Sequence, residues 1–307
     1  MRRMSHWQHG GGECEPNLSY FANITTTVRA FRSAVLRCRT GKCEDGPVTA
    51  EQNSALVRSS DLTRYRLAPN PGPMSLDGTQ SYLIAGPESR GVVVVDPGPL
   101  DEAHLAELAA AGEMELVLIT HHHIDHTEAS ERFHELTGAP VRALDTALCF
   151  GGDPLTDGEV IRAAGVDIHV LATPGHTADS VSFHLPADGP HGSVLTGDTI
   201  LGRGTTIIAF PDGRLGPYLD SLARLEILGP AKVLPAHGGT LPDLSAICRE
   251  YASHRQMRLD QIRAALAHLG AEASVDDVTD HVYHDIDAAV RLAAEASVAA
   301  QLEYLRG

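Results

Sequence analysis

Residues 120–126 read Thr120-His121-His122-His123-Ile124-Asp125-His126 and directly follow the apolar stretch Glu115–Ile119. Side chains two residues apart on an extended segment lie on the same side, so His121 and His123 can converge on one ion. Asp125 and His126 would then face a second ion as the chain turns into a helix. A buried strand end with five ionisable groups needs a compensating partner, and a cation provides it. The stretch therefore predicts a metal site at a strand end.

Three further residues of ligand type follow predicted strands in the same way, next to a small residue or a turn. They are His176 in Thr173-Pro174-Gly175-His176-Thr177, Asp198 in Thr196-Gly197-Asp198 and His237 in Pro235-Ala236-His237-Gly238. Ligands in α/β folds gather at such strand ends. The expected grouping is His121, His123 and His176 for one divalent ion, Asp125, His126 and His237 for the other, and Asp198 as the bridge. These residue types favour zinc, although iron or manganese could occupy the same set.

Composition divides the chain into three parts. Residues 1–59 are rich in Gly, Ser, Thr and Asn, and we predict a weakly ordered extension without a catalytic part. Residues 60–242 alternate short apolar strands with helices, which predicts an α/β domain with covered sheets. Residues 243–307 lack strand signals and have helical spacing of apolar residues, which predicts a small helical C-terminal region.

Charge and cysteine content narrow the range of partners. The formal net charge is −16, with +3 on residues 1–60 and −19 on the rest. A field of that sign repels phosphate chains, so we expect no double-stranded DNA partner. The five cysteines include no CxxC pair, which indicates reduced thiols and a cytoplasmic location. No run of 18 apolar residues occurs, so we expect no membrane span.

The HxHxDH segment, together with the later GH, GD and GH elements, resembles the metallo-β-lactamase superfamily. The resemblance covers about Asp61 to the C-terminus and implies a four-layer αββα fold with a dinuclear site at one edge of its two sheets. By analogy, Asp96 in Val93-Val94-Val95-Asp96-Pro97-Gly98 orients the site rather than binding metal. The stretches Asn70–Thr79 and Gly197–Thr206, with His254-Arg255, look like the lactamase-β-like-2 branch, which implies a winged-helix-like C-terminal unit.

These features predict a hydrolase that uses a metal-bound hydroxide, with Asp125 fixing the second ion and helping to orient the nucleophile. The animal member of the branch is a single-strand-directed endoribonuclease, so the resemblance implies a phosphodiesterase acting on single-stranded RNA. Arg203 follows Asp198 closely and could bind a substrate phosphate or carboxylate. A solvated loop arginine is an equally good interpretation of Arg203. A serine nucleophile is poorly supported, because no GxSxG motif is present.

Other functions stay open at this point. A hydrolase of thioesters or other small esters, similar to glyoxalase II, is compatible with the acidic surface. Lactam hydrolysis is a further alternative. The last alternative is a non-enzymatic interaction protein whose metals are structural. A structural zinc normally closes its shell with four protein ligands, whereas the seven ligands for two ions predicted here leave room for water. Residues 257–307 carry a net charge of −5, which suits packing on the catalytic domain or homodimer formation better than DNA binding.

Overall fold

Two β-sheets face each other in the computed structural model, which describes residues 56–284 and 291–307. The first sheet has the order β1-β2-β3-β4-β5-β6, and its strands are Val57–Arg58, Thr63–Leu67, Gln80–Ile84, Gly91–Val95, Glu113–Leu118 and Val141–Arg142. The second sheet has the order β11-β10-β9-β8-β7, and β7 to β11 are Val160–Ala163, Val166–Ala172, Val181–Leu185, Ser193–Gly197 and Lys232–Pro235. Pairing is parallel for β4-β5, β5-β6 and β10-β11 and antiparallel elsewhere.

Seven α-helices accompany the sheets in the described residues. In chain order, α1 to α7 are Glu102–Ala109, Ile124–Thr127, Ser130–Thr137, Leu215–Glu226, Leu244–Leu269, Val275–Val282 and Arg291–Arg306. A 3-10 turn lies at Thr146–Leu148. Helix α1 begins at Asp101, whose side chain accepts a hydrogen bond from the His104 backbone N–H and so satisfies one exposed donor of the first turn. None of these helices is both long and apolar enough to span a bilayer.

Strand β4 shows why the apolar runs become central strands. Its four consecutive valines are all buried, and successive side chains of a strand point to opposite faces. Val93 and Val95 pack between the two sheets, whereas Val92 and Val94 pack against helices on the outer face. Each buried valine stabilises the fold by roughly 1.5–3 kcal/mol relative to an exposed one.

The layers follow from three apolar clusters. Tyr82 and Val93 of the first sheet meet Ile168 and Phe183 of the second sheet in the central cluster. On the outside of the first sheet, α1 and α3 pack on its apolar face. On the outside of the second sheet, α4 and α5 pack in the same way. The result is the αββα arrangement that the sequence predicted.

The C-terminal region is attached through the long helix α5. Its first half packs through Tyr251 and Leu259 on the cluster that covers the second sheet. Its second half joins a small separate cluster with Ile262, Val278 and Val298. The described residues after 242 form helices and turns only, so the winged-helix-like assignment stays a prediction. Residues 1–55 of the predicted N-terminal extension lie outside the described part, and β1 begins at Val57.

The ends of strands from both sheets meet at one edge. Strand β5 leads into residues 119–126, β4 ends before Asp96, and β10 ends before Asp198. Gly197 permits the close approach of the sheets here, because it has a φ of +50° and a Cβ would lie 2.8 Å from Thr120 side-chain atoms. A backbone bond of 2.8 Å from Val181 N to Thr120 O also joins the two sheets at this point.

Candidate metal centre

The seven side chains that the sequence singled out come together in two adjacent clusters at this edge. One cluster contains His121, His123, His176 and Asp198, and the other contains Asp125, His126 and His237. Within each cluster, the atoms that could bind a metal lie within 4.8 Å of one another. The side chains brought together in this way come from positions up to 116 residues apart in the chain.

Asp198 lies between the two clusters. Its Oδ1 is 3.3 Å from His237 Nε2 and 3.6 Å from His126 Nε2, and its Oδ2 is 3.7 Å from His176 Nε2. The two oxygens of one carboxylate therefore face different clusters, which is the geometry that a bridging ligand needs.

Outer hydrogen bonds determine which ring nitrogen of each histidine carries hydrogen. His176 Nδ1 lies 2.6 Å from the carbonyl oxygen of Ile207, and His237 Nδ1 lies 3.2 Å from that of Gly78. Because a carbonyl oxygen only accepts, each of these Nδ1 atoms donates, which leaves the Nε2 lone pair directed into the cluster.

The same reasoning applies to His121 and His126. His126 Nδ1 lies 2.8 Å from Asp96 Oδ2, a carboxylate acceptor. Thr120 Oγ1 donates its hydrogen to Asp96 Oδ2 at 2.7 Å, so it accepts from His121 Nδ1 at 3.0 Å. Both Nε2 lone pairs again point inward.

The inward-facing atoms fit a cation. His123 Nδ1 lies 3.0 Å from His121 Nε2 and 3.1 Å from His176 Nε2, and one hydrogen cannot serve three such nitrogens. His126 Nε2, His237 Nε2 and Asp198 Oδ1 are buried without a hydrogen-bond partner. Because unpartnered buried lone pairs are costly, the donor set suits positive ions that accept all of them.

Comparison with known families agrees with this geometry. A sequence model described as the metallo-beta-lactamase superfamily matches residues 74–237, which include both clusters and more than half of the chain. The chain belongs to this superfamily.

Several superfamily proteins are similar to the chain. It is 34% identical over 220 residues to the lactamase-like protein vrtG of Penicillium aethiopicum, covering 69% of this chain and 68% of that protein. It is 33% identical over 209 residues to the atrochrysone carboxyl ACP thioesterase of Aspergillus chevalieri, covering 65% and 64%. It is 31% identical over 262 residues to the beta-lactamase-like protein 2 homolog of Caenorhabditis elegans, covering 81% and 86%.

A solved structure from the superfamily is similar over most of the fold. The crystal structure of a metallo-beta-lactamase family protein from Thermus thermophilus matches with a TM-score of 0.64 and 25% sequence identity. The match covers 80% of this chain and 93% of the Thermus chain. The αββα core is therefore the fold of the superfamily.

The surroundings shift the pKa values of the histidines in the two clusters in opposite directions. Burial, with a smaller contribution from His176, lowers the pKa of His123 to about 4, and burial also lowers the pKa of His121. Both rings are neutral at pH 7, as metal ligands must be. Burial opposes charge on His237 as well, but the carboxylates of Asp125 and Asp198 raise its pKa to about 10. The site thus favours a positive charge beside these carboxylates.

Asp96 lies behind the histidine rings, at the end of strand β4. It is 1% exposed, its Oδ1 accepts from Thr120 N at 2.8 Å, and its Oδ2 accepts from His126 Nδ1. Its φ of +53° lies in the left-handed region, which aspartate adopts more readily than most residues other than glycine. Through Oδ2, Asp96 thus holds the ring of His126 from outside the clusters.

Arg203 lies in an exposed ion pair with Asp77. Its Nη1 and Nη2 lie 3.0 and 3.2 Å from the two carboxylate oxygens of Asp77, in a side-by-side arrangement. The pair joins the loop of residues 70–79 to the loop that follows Asp198. Contact of Arg203 with a substrate stays a prediction.

Several residues of the site were not singled out from the sequence. Thr79 donates from Oγ1 to Asp125 Oδ2 at 3.2 Å, and Thr206 Oγ1 lies 3.1 Å from His176 Nδ1. On the exposed rim, His122 Nδ1 lies 2.8 Å from Asp179 Oδ1. The threonines stand inside the two stretches that carry the branch resemblance, but no spacing rule indicates which ligand each one contacts.

Proposed function

We propose that this protein is a dinuclear metal-dependent hydrolase that cleaves thioesters, with zinc as its metal. The observation that carries the proposal is the pair of clusters that share Asp198 and direct unpartnered lone pairs inward. The residues that would hold the two ions are His121, His123, His176 and Asp198 for one, and Asp125, His126, His237 and Asp198 for the other.

When bound, the two ions supply Lewis acidity, which polarises a substrate carbonyl and makes water a nucleophile near pH 7. The protein's own groups hold the geometry. Asp96 fixes His126, the Ile207 carbonyl fixes His176, and the Gly78 carbonyl fixes His237. With these three rings held from outside, little reorganisation is needed when charge develops in the transition state.

Thioester cleavage suits a site in which no side chain is identified as a general acid. Water adds to the carbonyl carbon, the carbon–sulfur bond breaks, and the products are a carboxylic acid and a thiol. A thiolate leaves without prior protonation, because the pKa of a thiol is only about 8.5. A ribose alkoxide is far more basic and benefits from a proton donor.

Charge and family both support a thioester substrate. A net charge of −16 opposes the approach of an RNA chain but not of a small neutral acyl thioester. One relative at 33% identity is named as an acyl carrier protein thioesterase, which makes an acyl group on a pantetheine-type thiol a reasonable substrate class. Ile124 stands between His123 and Asp125 in the chain and is 68% exposed, so it offers an apolar surface to such an acyl group.

Single-stranded RNA is the second candidate. The match to a beta-lactamase-like protein 2 homolog over 81% of the chain fits the branch from which RNA cleavage was inferred.

We further propose that residues 60–242 carry the chemistry and that the C-terminal helices serve packing.

The test offers zinc-loaded protein an acyl-pantetheine thioester, S-lactoylglutathione, single-stranded RNA and nitrocefin in separate assays. Thioester turnover that Asp125→Ala abolishes supports the proposal. Asp260→Ala is the matched control, because Asp260 is an exposed carboxylate on the distal half of α5, and its turnover should equal wild type.

Three results would overturn the proposal. One is thioester turnover that survives Asp125→Ala, because it would then come from another protein. Another is turnover of RNA or nitrocefin alone. The third is elemental analysis showing fewer than two ions per chain in folded, metal-saturated protein.

A further inference from the structure

The hydroxyl of Thr79 contacts Asp125 from outside the second cluster. Thr79 is 0% exposed and stands 46 residues before Asp125 in the chain. The distance from Thr79 Oγ1 to Asp125 Oδ2 is 3.2 Å. The same Oδ2 faces the second cluster, 3.2 Å from His237 Nε2, so a buried hydroxyl at this distance can fix the direction in which Asp125 presents it.

Asn70 determines the direction of that hydrogen bond. The backbone N–H of Thr79 donates to Asn70 Oδ1 at 2.9 Å, and since an N–H can only donate, the amide oxygen must face it. Asn70 Nδ2 then faces Thr79 Oγ1, also at 2.9 Å, and can only donate to it. The single hydrogen of the Thr79 hydroxyl is left for Asp125.

The neighbouring residue holds a second member of the same cluster. The carbonyl oxygen of Gly78 accepts from His237 Nδ1 at 3.2 Å. Gly78 has a φ of +133°, and a Cβ there would lie 2.3 Å from the Ala68 carbonyl oxygen, so the turn requires glycine. Residues 78 and 79 thus support Asp125 and His237 together.

The first cluster is supported from a different loop. His176 contacts the Ile207 carbonyl at 2.6 Å and Thr206 Oγ1 at 3.1 Å, and both residues follow Asp198 in the chain. The threonine hydroxyls that the two loops contribute, Thr79 and Thr206, therefore contact different clusters.

We infer that Thr79 is a positioning residue for the ion held by Asp125, His126 and His237, and that it sets the affinity for this ion without setting the affinity for the other. The inference rests on the proposed function, because it presumes two bound ions. Loss of such an outer partner typically weakens metal binding about 10- to 100-fold.

The experiment measures zinc binding to the full-length protein by competition with a chromophoric chelator. Thr79→Val keeps the shape and the backbone bond to Asn70 but removes the hydroxyl. We expect one of the two binding steps to weaken by about 10-fold or more while the other changes little. Thr79→Ser restores the hydroxyl and should restore the affinity.

Thr206→Val is the matched control, since it removes a buried hydroxyl beside the first cluster. It should leave unchanged the step that Thr79→Val weakens. Thermal unfolding of the metal-free proteins shows that both variants fold. Equal weakening of both steps by Thr79→Val, or no change in either step, would overturn the inference. A wild-type protein that binds fewer than two ions would instead overturn the proposed function.

Discussion

Asp96 and His126 form a hydrogen bond of 2.8 Å between Oδ2 and Nδ1, and both side chains are buried at the edge where the two sheets meet. Asp96 Oδ2 also accepts from Thr120 Oγ1 at 2.7 Å. Since both contacts require an acceptor, the carboxylate fixes the ring of His126 with its Nε2 lone pair directed at the cluster. The backbone conformation of Asp96, with φ at +53°, places the carboxylate where it reaches both partners.

Asp96→Asn tests this relationship. An amide nitrogen in place of Oδ2 would face His126 Nδ1 as a donor, and the ring would have to move its hydrogen to Nε2, which faces the metal site. We expect zinc affinity and turnover to fall about 10- to 100-fold with the fold retained. Chelator competition and circular dichroism measure the two effects, and unchanged affinity would contradict the role of Asp96.

Metal removal is expected to destabilise the protein. A ligand that binds only the folded state stabilises it by about 2.7 kcal/mol when its free concentration is about 100 times its dissociation constant. We therefore expect the melting temperature to fall when excess chelator is added and to recover with zinc. The fall in melting temperature on adding chelator should be smaller for Asp125→Ala than for the wild type. A wild-type melting temperature that does not change with chelator would contradict metal binding.

Alanine variants of Arg203 and Asp77 distinguish two roles of Arg203, which are binding the substrate and holding two loops together. Both side chains are more than half exposed, so each single alanine variant should change the free energy of unfolding by less than about 1 kcal/mol. If Arg203 binds an anionic part of the substrate, Arg203→Ala raises KM and Asp77→Ala does not. Equal increases in KM for the two variants would indicate that the pair acts by holding the two loops together.

His104 provides a prediction for pH dependence. It is 1% exposed, its Nε2 lies 2.9 Å from Ser81 Oγ, and burial, helped by Arg66, lowers its pKa from 6.5 to about 4. Between pH 6.5 and about pH 4, the His104 ring binds a proton in the unfolded chain but stays neutral in the folded chain. The free energy of unfolding therefore falls as the pH drops from 6.5 towards 4, by up to about 1.4 kcal/mol per pH unit from this group.

His104→Gln removes the titration and can keep the bond to Ser81. We expect its free energy of unfolding to fall less steeply than that of the wild type over the same pH range. Urea unfolding in the presence of chelator gives the comparison, because metal loss then contributes to neither protein. Parallel pH dependences for the two proteins would show that His104 is not the responsible group.

The sequence was sufficient for the fold, because the apolar runs indicate strands and the HxHxDH segment carries the resemblance that implies the αββα layers; it also named the candidate ligands. Continuous apolar runs such as Gly91–Val95 can only be central strands covered on both faces. Strands β2 and β6 were not predicted, because Thr63–Leu67 mixes threonine and arginine with apolar residues and Val141–Arg142 has only two residues. Strand β6 lies at one edge of the first sheet, and β2 lies next to the other edge. Pairing with neighbouring strands stabilises such strands more than their own composition does.

The tertiary structure alone decided what holds each ligand. The bond from Thr79 to Asp125 joins residues 46 apart, and the ion pair of Asp77 with Arg203 joins residues 126 apart. No periodicity extends over those distances, because the path of each loop is set by packing at the sheet edge. Spacing along a strand determines that two histidine side chains can reach one ion. The carbonyl or carboxylate oxygens that hold His126, His176 and His237 from outside reach these rings only when the two sheets pack together.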